Sequence, residues 1–125
     1  MSGYSTFSAT ADQLTSSSGN VSNATATATL AGAAGKTTYI QGFIVTGSGA
    51  TLGLPVTVTI TGVTGGTLHF VYCAAVGILA GNTPLVISFA APISASAENT
   101  TISVSCPSMG LGNTNNAVVA YGFQI

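Results

Sequence analysis

Leu54-Pro55-Val56-Thr57-Val58-Thr59-Ile60-Thr61-Gly62-Val63-Thr64-Gly65-Gly66-Thr67-Leu68-His69-Phe70-Val71-Tyr72-Cys73-Ala74-Ala75-Val76 carries the pattern from which the fold follows. Val56, Val58 and Ile60 alternate with Thr57, Thr59 and Thr61, the period of two expected of a strand with one buried face. Gly62, Gly65 and Gly66 can adopt positive φ, so the chain can reverse there. It resumes with Leu68, Phe70 and Tyr72 on one side of the pleat. The stretch reads as a β-hairpin, with its apolar sides turned to a common core.

Further strand signals lie on both sides. Residues 24–30 alternate Ala and Thr, residues 37–46 are apolar enough for a covered strand, and residues 85–90 follow Pro84. Residues 100–106 alternate again, placing Ile102 and Val104 inward. The last strand, residues 117–125, is assigned Val119, Tyr121, Phe123 and Ile125 as its apolar face. Residues 31–35, 47–49, 76–82, 92–99 and 107–116 carry loop and turn composition. No stretch has helical periodicity with caps. About seven or eight strands with regular turn signals predict an all-β chain, an antiparallel β-sandwich of jelly-roll-like form. An immunoglobulin-like sandwich fits less well, because the chain has no tryptophan.

At 125 residues the chain is one folded domain, residues 24–125, preceded by a Ser/Thr-rich arm over residues 1–23. A segment that polar cannot bury enough apolar surface to order itself, so it is read as reaching to an adjacent subunit. Only Asp12, Lys36 and Glu98 carry formal charge, 2% of the chain against roughly 25% in ordinary soluble domains. Such a surface has little colloidal repulsion and favours association. One lysine cannot track a phosphate backbone, so nucleic acid is not an expected partner. The beginning of the chain has no secretory pattern, and the apolar run over residues 70–81 is shorter than the roughly 18 residues of a spanning helix. A membrane is therefore not expected either. Cys73 and Cys106 are read as reduced thiols, with a cross-sheet disulfide as the alternative.

The chemistry-bearing residues do not assemble into a signature. Residues 32–37, Gly-Ala-Ala-Gly-Lys-Thr, match the end of a phosphate-binding loop, but Leu30 stands where the pattern needs glycine and a strand follows instead of a helix. His69 is the single histidine, and neither cysteine stands at ligand spacing from it. Asp12 or Glu98 could orient His69 towards one of many serines, yet no nucleophile elbow accompanies them. The glycosylation sequons at Asn20, Asn23 and Asn99 arise by chance in so Ser/Thr-rich a chain. No catalytic, cofactor-binding or metal-binding residue is assigned, no cofactor is expected, and the chain is read as a non-enzyme.

Gly35-Lys36-Thr37-Thr38-Tyr39-Ile40-Gln41-Gly42-Phe43, Val56-Thr57-Val58-Thr59-Ile60-Thr61-Gly62, Gly66-Thr67-Leu68 and Asn113-Thr114-Asn115-Asn116-Ala117-Val118-Val119-Ala120-Tyr121-Gly122-Phe123 resemble small all-β structural proteins of tailed bacteriophages. The resemblance covers about residues 30–125, with the arm its least similar part. Several such proteins are capsid decoration, or cement, proteins with jelly-roll-like folds, often homotrimers, that sit on the head and brace neighbouring capsomers. The resemblance thus implies a structural virion protein made in the host cytoplasm and placed on the capsid surface. Its implied partners are the major capsid protein and copies of itself, and it implies no site residue. A phage tail, baseplate or receptor-binding protein is the nearest alternative. A secreted carbohydrate-binding or adhesion module is more distant, since such sites draw on aromatics and carboxylates and this chain has two acids and no tryptophan.

Overall fold

The structure is a computed structural model in which residues 11–51, 54–74, 76 and 83–125 are described. Eight strands follow in chain order: β1 (Asp12–Ser17), β2 (Ala26–Leu30), β3 (Thr38–Ser48), β4 (Val56–Thr61), β5 (Leu68–Tyr72), β6 (Leu85–Ser94), β7 (Ile102–Cys106) and β8 (Asn115–Gln124). No helix occurs among the described residues. The expected β-sandwich is present as two packed antiparallel sheets, β1-β8-β3-β6 and β2-β7-β4-β5.

The predicted hairpin lies at the centre of the connectivity. β4 and β5 pair from Val56↔Tyr72 to Ile60↔Leu68, and Gly62, Gly65 and Gly66 turn the chain at φ of 86°, 92° and 99°. Outward from it, β3 pairs with β6, β2 with β7 and β1 with β8. The chain is therefore a long antiparallel ribbon with the β4–β5 turn at its tip. The ribbon rolls up so that β3 also pairs with β8 and β4 with β7, which divides it into two sheets.

Between the sheets, Ala26, Ala28 and Leu30 of β2, Val58 and Ile60 of β4, and Ile102, Val104 and Cys106 of β7 meet Ile40, Phe43 and Val45 of β3 and Val118 and Ala120 of β8, all buried. Burying such aliphatic side chains stabilises the fold by about 1.5–3 kcal/mol each. Leu68, Phe70 and Tyr72 turn inward as predicted, and Phe70 packs edge-on against Phe43 at 5.1 Å.

β8 departs from the prediction. Val119, Tyr121 and Phe123 were expected in the core, but the inward side chains are Asn116, Val118, Ala120 and Gln124, with Gly122 also buried. Val119, Tyr121 and Phe123 lie half-buried on the outside of the sheet, and Ile125, outside the strand, is exposed. A strand's two faces differ by one residue of phase, and the larger apolar set pointed to the wrong one. The inner phase is held by amides. Asn116 Nδ2 lies within hydrogen-bond distance of the carbonyls of Ala24, Cys106 and Pro107, and Gln124 Nε2 donates to the Ala31 carbonyl and Thr38 Oγ1. The neighbouring loop is closed by Asn113, which accepts from the Met109 N–H and donates to the carbonyls of Ser48 and Asn115.

The arm is also revised. β1 pairs with β8 from Asp12↔Gln124 to Ser17↔Val119, and backbone bonds continue through Ser18, Val21 and Asn23. Main-chain pairing needs no apolar side chains, so a Ser/Thr-rich segment can complete a sheet. Residues 1–10 of the expected arm lie outside the described residues. Two smaller corrections concern ends. β6 runs through Pro92 to Ser94, where a turn was expected, because an edge position tolerates a missing N–H. β8 begins at Asn115, inside the predicted loop.

Candidate interaction face

The polar and reactive side chains are dispersed. Asp12, at the start of β1, forms an ion pair with Lys36 in the loop before β3, and both are well exposed. An exposed pair of this kind contributes about 0–1 kcal/mol. Lys36 thus sits ahead of a strand, with its carbonyl accepting the Asn99 N–H. Glu98 is exposed in the turn before β7. His69 points outward from β5, opposite Thr59, on the other sheet from Asp12. No three His, Cys, Asp or Glu side chains cluster among the described residues, and no pocket is found.

The two cysteines are free, Cys73 exposed just after β5 and Cys106 buried at the end of β7. Burial pushes the Cys106 thiol up to about 11. At pH 8 its thiolate fraction is then roughly a thousandth, whatever its accessibility. An aromatic disulfide reagent at pH 8 is expected to titrate one thiol per chain rapidly and the second only after denaturation; two fast thiols would place Cys106 outside the core. The linkage has a definite sign. Cys106 is held neutral in the folded chain, so its contribution is complete below pH 9 and is lost as pH rises through 9 towards 11. Tyr72, raised by burial and then by Cys106 and Cys73, acts in the same direction at higher pH.

The outer faces of the two sheets differ in kind. On the β2-β7-β4-β5 sheet, the pairings Thr27↔Ser105↔Thr59 and Thr29↔Ser103↔Thr61 make rows of hydroxyls, with Thr27 Oγ1 and Ser105 Oγ 3.0 Å apart. Such a face is satisfied by water. The β1-β8-β3-β6 sheet instead presents large apolar groups. Tyr39 and Phe123 stack with centroids 4.9 Å apart and planes 12° from parallel. Val119, Ile44 and Val86 form a row across β8, β3 and β6, with Val86 56% exposed. The Tyr121 ring covers Gly42, where any side chain would collide with it.

No protein-family model, no characterised protein and no solved structure matches the chain. The site must be judged on its own geometry.

That geometry singles out the aromatic face. A solvated sheet face normally alternates to polar residues, as the other sheet does. Here the outward positions of β8 hold its larger apolar residues, Val119, Tyr121 and Phe123, while its inward positions include Ala120 and Gly122. Contiguous exposed apolar surface of this kind marks contact with another molecule. Sequence reasoning missed the face because it counted the same residues as core. The available signal was Asn116, Gly122 and Gln124 sharing one phase, which only buried amide partners could make an inner face.

Proposed function

We propose that the chain is a structural virion protein, a capsid decoration protein that braces the head of a tailed phage through the aromatic face of β8 and β3. The observation that carries this reading is the apolar outer face itself, on a chain with one lysine and two acids. A molecule with so little charge associates through apolar and backbone groups, and a standard interface of about 800 Å² per partner is within reach of one sheet face. The pairing of β1 with β8, β2 with β7, β3 with β6 and β4 with β5 supports assigning the sandwich to the jelly-roll class. The phrases shared with small phage structural proteins, several of them homotrimers on capsids, support the location. The action would be mechanical: contacts between neighbours spread the pressure of the packaged genome, with no bond made or broken.

Sedimentation with undecorated capsids tests this. Binding is expected to change less than about twofold between 0.1 and 1 M sodium chloride, where the Debye length falls to about 3 Å. Tyr39→Ser with Phe123→Ser is expected to weaken it at least about tenfold while the circular dichroism spectrum stays β-rich. Release of most of the protein by 0.5 M salt would refute an apolar interface. Labelling of tails instead of heads in electron micrographs would move the protein to the tail or baseplate.

A further inference from the structure

Four strand edges bound the two sheets, and they are not equally protected. β1 and β2 meet at one side of the sandwich, where the Thr29 N–H donates to Ser16 Oγ. β5 is five residues long. β6 is ten, and among the described residues no strand lies along its second edge. Its first seven residues, Leu85-Val86-Ile87-Ser88-Phe89-Ala90-Ala91, include no charge, proline or glycine before Pro92. Natural sheets blunt a free edge with lysine, proline, a bulge or brevity, because its open N–H and C=O groups template pairing with another chain. Residues 85–91 use none of these devices. Leu85, Ile87 and Phe89 turn inward yet remain only partly buried, so the core itself is incompletely covered at this edge.

We propose that the β6 edge is a self-association site, at which β6 of a second copy pairs antiparallel across a two-fold axis near Ser88. A second copy fits because an antiparallel strand pairs with itself under two-fold symmetry and this edge brings no like charges together. The contact joins two four-stranded sheets into one of eight strands. It also covers the open flanks of Ile87 and Phe89 on both copies and makes the two aromatic faces continuous through Val86. The inference goes beyond the decoration reading: the contact ties copies in pairs, whether those copies stand alone or belong to trimers.

The experiment is sedimentation equilibrium of the full chain at about 50 µM, with cysteine cross-linking. The native protein is expected to hold an even number of copies, and Ser88→Lys, on the exposed outer face of β6, to halve the mass with an unchanged β spectrum. A Thr27→Lys control on the other sheet should not. In a Cys73→Ser background, Ser88→Cys should oxidise to a covalent dimer, since directly opposed strand residues have Cα atoms about 4.5–5.5 Å apart, within disulfide reach. A monomer, an odd-numbered assembly, or a mass unaffected by Ser88→Lys overturns the proposal. A β6 edge occupied by another segment of the same chain would appear as the monomer result. Halving of mass in a protein that ignores capsids upholds the edge contact and defeats the decoration reading. Capsid binding without halving does the reverse.

Discussion

Val104→Asp is expected to leave a chain that does not fold. Val104 is fully buried on β7, paired with Ala28 on one side and Ile60 on the other, in the middle of its sheet. A carboxylate there has no cation to meet, since the chain's one lysine is engaged with Asp12 at the surface. Burying an unpaired charge costs several kcal/mol, comparable with the 5–15 kcal/mol of a typical domain. Protonation would remove the charge and still leave a carboxyl group without partners. The readout is the soluble fraction and its circular dichroism, with Val104→Ala as a graded comparison expected to cost about 2 kcal/mol. Ile60→Asp should behave like Val104→Asp, because Ile60 faces the same core from β4. A native spectrum and unchanged melting temperature for Val104→Asp would remove β7 from the core.

Gly122→Val is expected to have an effect of the same order for a different reason. A Cβ at Gly122 would overlap the Tyr39 carbonyl oxygen and stand 2.9 Å from its carbon and 3.0 Å from Ile40 Cα. These are backbone atoms of the neighbouring strand, so no side chain can swing aside. Relief requires separating β8 from β3 at Tyr39↔Phe123 and Ile40↔Gly122, beside the bulge in β3. That would break ladder hydrogen bonds and unstack Tyr39 from Phe123. A loss of at least about 3 kcal/mol in urea unfolding is expected, the upper range for a single substitution. Gly35→Ala is the contrast: nothing lies within 4 Å of the added carbon, and only the φ of 73° opposes it. Its cost should be about 1 kcal/mol. Equal effects would mean that local conformation, not close strand approach, selects glycine at 122.

The two substitutions probe different causes on opposite sheets. Val104 is required because the core excludes charge, Gly122 because two backbones approach too closely for any side chain. Neither touches the aromatic face or the β6 edge. Loss of association on altering Tyr39, Phe123 or Ser88 can thus be separated from loss of the fold.

The hairpin around residues 54–76 was legible in the sequence because strand period and turn glycines are local properties: Val58 and Ile60 inward, Thr57 and Thr61 outward, Gly62, Gly65 and Gly66 at the reversal. The same held for β2 and β7, where small or β-branched residues alternate with hydroxyls and one face is plainly more polar. β8 was not legible, since both of its faces carry apolar residues and the choice rested on partners distant in sequence. The carbonyls of Ala24 and Ala31 that meet Asn116 and Gln124 lie some ninety residues away along the chain. β1 was hidden for a related reason, as its place depends on backbone pairing with β8 and not on its own side chains. The scarcity of charge, visible in the composition, implied association without saying where. Only the rolled ribbon decided that, by turning Tyr39, Tyr121 and Phe123 outward and leaving the uncharged strand β6 at an edge. A strand's period is written in neighbouring residues, whereas its phase and its place in a sheet are set by what it packs against.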